Sequence, residues 1–277
     1  MKRFFIRVLL AVILFVAIVN PICVKYKKSK IKSYYGYEVV HSQKKSRSCI
    51  KRKGYYLVFG DSTGNQLYNN EKNNDTIYSL TCNSCITLCG HFCLLSDFLR
   101  TNESNLPSRV VLLYAPTSLC CGLNYGAFQY FLKPFYNEHY KPYMNDAVHN
   151  WAKSVPLYWM AQVSLVKYSN YSPHFQAVKE ADFEGLVSPI NAVYLDSISR
   201  ICREFGVPLE FRGTFTADNN RAWFAEQIEH TTNIDKHLLD QYLETVRFLP
   251  DSMFIDDVHL KKECIPTDFL GLRMIQY

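Results

Sequence analysis

Tyr55-Tyr56-Leu57-Val58-Phe59-Gly60-Asp61-Ser62 is the stretch on which the fold turns. Its five apolar or aromatic residues are too few for a helix and lack the alternation of a half-exposed strand. They predict a short strand buried on both faces, the kind found in parallel sheets. Gly60-Asp61-Ser62 then predicts a tight turn, and a helix is expected to start over Asn65 to Tyr68. Outward from there, a second strand is expected from Thr76 to Thr81, a helix from about Ser84 to Leu99, and a third strand from Val110 to Ala115, closed by Pro116. Strand and helix in alternation are the pattern of an α/β fold. Farther on, a helix is expected from Asn191 to Phe205 and a fourth strand from Val207 to Arg212. Helical stretches between about Asn219 and Arg247 follow, then a last strand at Met253 to Ile255 and a closing helix from Pro266 to Ile275. The Tyr-, Phe-, Trp- and Pro-rich segment at about 119–189 reads as an insertion.

Charge is divided sharply along the chain. Residues 1–53 carry 14 Lys and Arg against one acid, Glu38, whereas residues 54–277 carry 17 basic and 24 acidic side chains. The formal charge of +6 therefore belongs to the N-terminal segment, and the acidic remainder argues against a nucleic-acid-binding face. In that segment Lys2, Arg3 and Arg7 precede an unbroken apolar run from Val8 to Val19, followed by Asn20-Pro21. Such a run is either a signal peptide or one membrane-spanning helix. No small-x-small cleavage site follows it, which favours an uncleaved anchor over residues 1–32. Lys25, Lys27, Lys28, Lys30 and Lys32 on the far side outnumber the charges on the near side, and the positive-inside rule would then hold the body in the cytoplasm. The Ser- and Lys-rich stem, residues 33–53, reads as extended. One folded domain is expected over residues 54–277, with the chain's 48% hydrophobic residues sufficient for a sizeable core.

Cys82, Cys85, Cys89 and Cys93 have a spacing that a metal site could use. Ile86, Leu88, Phe92, Leu94 and Leu95 among them make the run read instead as small apolar positions on a buried helix. No histidine pattern near Cys120-Cys121 completes a zinc set, and neither a metal nor an organic cofactor is expected.

A serine at the end of a buried first strand lies where open α/β sheets place their reactive groups. Its hydroxyl needs a base within hydrogen-bond reach and a third group to orient that base. Asp256-Asp257-Val258-His259, after the expected last strand, supplies both: a carboxylate three residues before an imidazole can fold back onto Nδ1 while Nε2 faces Ser62. That spacing selects Asp256 and leaves Asp257 as a loop residue. The plainer alternatives are Ser62 as a helix cap, His259 as a surface histidine and Asp256 as a turn cap. His91, His139, His149, His174, His230 and His237 have no acid or serine at informative spacing and read as structural.

Phe59-Gly60-Asp61-Ser62 near the start and Asp256-x-x-His259 near the end together resemble the first and last blocks of the SGNH/GDSL hydrolase family, over residues 54–277. The resemblance implies a three-layer α/β/α sandwich with a mostly parallel sheet, in which Ser62 is the nucleophile and His259, assisted by Asp256, its base. The family's middle blocks are not intact: Thr81-Cys82-Asn83-Ser84 and Ala115-Pro116-Thr117-Ser118 stand where a glycine and a G-x-N-D would be. Asn83 is the candidate oxyanion donor beside the Ser62 N–H, with Asn124 farther along. With its anchor, the chain is similar to the membrane-tethered SGNH proteins that work beside polytopic O-acyltransferases, in lipoteichoic acid D-alanylation and polysaccharide O-acetylation. That similarity implies an extracytoplasmic body, against the positive-inside count. It also implies an esterase or O-acyltransferase acting on an acylated cell-surface glycan or polymer through an acyl-enzyme on Ser62, with rings of the insertion stacking on sugars or docking on a membrane partner. The alternative is a non-catalytic accessory or glycan-binding protein partnering such an O-acyltransferase.

Overall fold

The computed structural model describes residues 1–28, 37–72, 74–82, 87–123, 132–155, 158–163, 183–266, 268–269 and 272–273. Asn83, Cys85, Asn124, His174 and residues 164–182 of the insertion lie outside the described residues. Strands β1 (Tyr56–Gly60), β2 (Ile77–Ser79), β3 (Arg109–Tyr114) and β4 (Leu209–Gly213) form a four-stranded parallel sheet in the order β2-β1-β3-β4. After Thr214 the chain runs on into β5 (Phe215–Ala217), which pairs in parallel with β6 (Arg247–Leu249). The described α-helices are α1 (Lys2–Lys28), α2 (Tyr37–Ser46), α3 (Ser62–Leu67), α4 (Thr87–Thr101), α5 (Pro116–Leu119), α6 (Asp146–Ser154), α7 (Pro189–Glu204), α8 (Arg221–Glu229) and α9 (Lys236–Leu243). The expected α/β class with a mostly parallel sheet is observed.

Alternation along the strands sends side chains to two apolar clusters. Leu57, Phe59, Leu112 and Tyr114 join a large core with the buried faces of α4 and α7, while Val58, Val111 and Leu113 pack with Leu67, Tyr68 and Ile77 in a small one. On α9, Tyr242 stacks on Phe211 at 4.6 Å and its hydroxyl donates to the Tyr114 carbonyl at 3.0 Å. Much of the expected insertion is core: Leu132, Phe135, Tyr140, Val148, Trp151 and Tyr158 are all buried in the large cluster, whereas Trp159 is 78% exposed.

The chain passes from β1 outward to β2 and then returns to the other side of β1 for β3. Such a reversal opens a crevice at the carboxyl ends of the two strands. β1 and β3 are in register to their last residues, with Gly60 opposite Leu113. A Cβ on Gly60 would overlap the Leu113 carbonyl oxygen, so only glycine lets the two strand ends approach this closely.

Helix α1 is one of 27 residues, about 40 Å long at 1.5 Å per residue. Its window Lys2–Ile22 has a mean hydropathy of 2.5, is long and apolar enough to cross a membrane, and is not buried against the rest of the chain.

Four local expectations are corrected. The stem is not extended throughout, because residues 37–46 form α2 with Val39, Ser42, Gln43 and Ser46 buried on one helical face. The two buried hydroxyls are paired, Ser42 Oγ accepting from Asn70 Nδ2 at 3.0 Å and Ser46 Oγ donating to the Gln43 carbonyl at 2.9 Å, and the neighbouring Lys45 Nζ donates to the Ser79 carbonyl at 2.6 Å. Burial, with Arg52 adding to it, lowers the Lys45 ammonium to about 8. Secondly, Met253–Ile255 is not a strand of the sheet. The four-stranded sheet ends at β4, and the strand nearest in sequence is β6 of the two-stranded pair, after which Pro250 opens a 3₁₀ turn over Asp251–Met253, and Phe254 forms a single antiparallel bridge with Leu260. Thirdly, the segment expected as a closing helix contains the antiparallel pair β7 (Asp268–Phe269) and β8 (Leu272–Arg273), consistent with the helix cost of Gly271. Fourthly, α3 starts at Ser62 itself because Asp61 caps it.

A chain beginning at Gly54 is expected to be less stable than one beginning at Ser33 by at least about 2 kcal/mol, from the burial of Val39 and the hydrogen bonds of α2. Urea unfolding followed by circular dichroism measures this, and equal midpoints would show that α2 contributes nothing.

Candidate active site

The site is built from the end of β1. Asp61 is fully buried, and its carboxylate accepts hydrogen bonds from Thr63 N (3.0 Å), Thr63 Oγ1 (2.7 Å) and Gly64 N (3.2 Å) on one oxygen and from Ala115 N (3.0 Å) on the other. Because Thr63 Oγ1 donates to Asp61, the 2.9 Å contact between Thr63 and Thr214 hydroxyls has Thr214 as donor. One carboxylate thereby ties together the turn after β1, the residue after β3 and the junction between β4 and β5. Ser62 follows as the first residue of α3, where an amide has no intrahelical acceptor.

Behind the turn, the fully buried His91 of α4 bonds the Gly60 carbonyl through Nε2 at 2.9 Å. A carbonyl only accepts, so Nε2 carries the proton and Nδ1 accepts from the Tyr114 hydroxyl at 3.2 Å. The imidazole braces the last residue of β1 against the last residue of β3.

The other half of the site comes from residues 254–260. Phe254 and Leu260 are bridged, the Ile255 N–H donates to the His259 carbonyl at 2.8 Å, and the Lys261 N–H donates to the Met253 carbonyl at 2.8 Å. The tip of this tight loop is open to solvent, with Ile255 72% exposed. Its Asp257 carbonyl is held by the Ala217 N–H at 3.4 Å and Asn220 Nδ2 at 3.3 Å, next to the end of β5. Leu260, by contrast, is buried and anchors the loop below.

Three of the four residues singled out from sequence meet here. His259 Nε2 lies 2.8 Å from Ser62 Oγ, and His259 Nδ1 lies 2.8 Å from Asp256 Oδ2 and 3.1 Å from Oδ1. An ionised carboxylate can only accept, which assigns the proton to Nδ1 and leaves Nε2 free to take the Ser62 proton. Burial alone would raise the Asp256 carboxyl. The Val258 and His259 N–H groups, at 2.9 and 2.7 Å, and the His259 ring outweigh it and hold the carboxyl below its ordinary value. The Asp256 side chain is 54% exposed and that of His259 32%, so Asp256 acts here chiefly by orienting the ring rather than through a strong buried ion pair. Asp257 instead meets Asn219 Nδ2 at 3.3 Å, as a loop residue. The arrangement can deliver a serine oxygen to an electrophilic carbon while an oriented imidazole removes its proton.

The fourth residue, Asn83, is outside the described residues. No group of three or more His, Cys, Asp or Glu able to hold a metal occurs among the described residues. Cys82, Cys89 and Cys93 are buried in the large core, where burial pushes the Cys93 thiol well up.

Sequence reasoning passed over three residues that shape the site. Asp61 was in plain view beside Ser62, but its partner at residue 115 requires the register of β1 and β3. His91 carries no local signal. Gln66 bonds the backbone of Leu260, and only its spacing of four from Ser62 on a helix could have drawn notice. Comparison with known proteins supplies no relative: no family model, no curated protein and no solved structure matches the chain.

Asp61→Ala would leave three buried N–H groups without an acceptor. It is expected to cost roughly 3 kcal/mol or more, with Asp61→Asn, which keeps one accepting oxygen, losing distinctly less. Thermal unfolding of the two variants checks the order, and equal losses would deny the carboxylate its role as the tie between strand ends.

Proposed function

We propose that the chain is a serine-dependent esterase or O-acyltransferase of the SGNH/GDSL type, working through an acyl-enzyme on Ser62. The observation that carries the proposal is the hydrogen-bonded line Ser62–His259–Asp256, set at the crevice where strand order reverses. Support for a three-layer sandwich comes from the two apolar clusters on opposite faces of the sheet.

In the first half-reaction Ser62 Oγ attacks the acyl carbon, and its proton passes to His259 Nε2. The Oγ–C bond forms, the bond to the leaving oxygen breaks, and the imidazolium returns the proton to that oxygen. Asp256 keeps Nδ1 protonated and fixes the ring while the positive charge exists. The Ser62 N–H faces the oxygen on which negative charge develops. In the second half-reaction water or a sugar hydroxyl attacks the acyl carbon, with His259 now removing the proton of the attacker. The choice between these two separates a hydrolase from a transferase.

The substrate we propose is an acylated cell-surface glycan or polymer, with the body on the extracytoplasmic side, α1 as a single span, and a polytopic membrane O-acyltransferase as partner. The long apolar α1 and the family resemblance support this assignment, and Trp159 is the ring among the described residues most open to a sugar face.

Incubating the full chain in detergent with p-nitrophenyl acetate, followed by peptide mass spectrometry, tests the covalent step. One acetyl group is expected on the Ser62 peptide of the wild type and on neither Ser62→Ala nor His259→Ala. A wild type that stays unmodified across pH and acyl donors would favour the non-catalytic accessory reading.

A further inference from the structure

Helix α3 carries two groups on one face. Ser62 and Gln66 are four residues apart, so their side chains leave the helix one above the other. Ser62 meets His259, and Gln66 meets the very next residue: its Nε2 donates to the Leu260 carbonyl at 2.7 Å, and the Leu260 N–H donates to its Oε1 at 3.0 Å. We infer that Gln66 is the positioning residue that sets the His259 imidazole at working distance from Ser62. The inference deepens the serine-nucleophile reading and rests on it.

The chemistry of the clamp is specific to glutamine. A primary amide offers one donor and one acceptor on a single plane, which matches the carbonyl and N–H of one residue on an extended backbone. Glutamate at neutral pH keeps the acceptor and loses the donor. Asparagine is one methylene short, and methionine fills the volume with neither.

The clamp is needed because the loop's own bonds do not reach the serine. The contacts of Asp256 with Val258, His259 N and the His259 ring all lie inside residues 256–259 and move with them. They orient the imidazole relative to the loop and leave its distance from α3 open. The remaining tethers run from Asp257 to Ala217, Asn219 and Asn220 at 3.3 to 3.4 Å, toward β5 and away from α3. Apart from the 2.8 Å contact of His259 with Ser62 itself, Gln66 therefore provides the two shortest hydrogen bonds that reach residues 255–260 from elsewhere among the described residues, and it does so from the helix that bears the nucleophile. Nucleophile and base are gauged against one rigid turn.

The test uses the full chain in detergent and a fluorophosphonate probe. Labelling forms an Oγ–P bond and breaks the P–F bond; fluoride leaves, and the serine proton goes to His259. Rates are measured across pH for the wild type, Gln66→Met, Gln66→Glu and Ser62→Ala, with the melting temperature of each. The wild type is expected to label at Ser62 and Ser62→Ala not at all. Gln66→Met is expected to label roughly tenfold or more slowly at the plateau, the scale of loss for a small displacement of a reacting group. Gln66→Glu, with half the clamp, is expected to fall between the two. The midpoint of the pH profile should stay where it is in Gln66→Met, because the Asp256–His259 pair is untouched and no charge is added. A Gln66→Met rate equal to wild type, or a loss explained wholly by the unfolded fraction, overturns the clamp while leaving the nucleophile standing. An unlabelled wild type overturns the serine reading, and the positioning role of Gln66 with it.

Discussion

A buried carboxylate sets the terms for the rest of the molecule. Asp61 is fully enclosed, and an ionised group taken out of water is tolerated only where donors surround it. Three backbone amides and a threonine hydroxyl do so, and they belong to different parts of the chain. Satisfying the charge fixes where β1 ends, where α3 begins and how close the residue after β3 must come. Gly60 removes the side chain that would obstruct this approach, and His91 braces it from behind. The serine next in sequence inherits a defined position without holding itself in place.

The opposite partner is organised on another principle. His259 sits on an exposed loop whose internal hydrogen bonds give it shape and whose buried neighbour, Leu260, gives it footing. A rigid, deeply tied serine thus faces an imidazole on a lightly tethered loop. The polar contacts that join them directly, Ser62 with His259 and Gln66 with Leu260, both originate on six residues of helix.

How much of this was legible in the sequence follows from where the free energy lies. β1 and β3 are short runs of large apolar residues buried on both faces, and such runs announce themselves. Ser62, Asp256 and His259 were legible because their order and spacing carry chemistry. α2 was not, since its buried face includes the polar Ser42, Gln43 and Ser46, and the helix is held by partners far along the chain, Asn70 for Ser42 and the Ser79 carbonyl for Lys45. Nor was β6, a half-exposed edge of three residues after a helical stretch, while the more apolar Met253-Phe254-Ile255 made the louder and misleading signal. Asp61, His91 and Gln66 act through backbone groups, which look the same at every position, so their partners become visible only once the chain is folded.

The contact between Ser62 and His259 spans 197 positions of sequence. Synthesis runs from the N-terminus, so α1 and the first strand emerge long before the residues of the 254–260 loop. Throughout that interval Ser62 is present without its imidazole partner, and a chain halted before residues 254–260 lacks the contact altogether. The hydrogen-bonded line Ser62–His259–Asp256 therefore assembles only after all of β1 to β6 has been synthesised, when every strand that positions it has had its chance to fold.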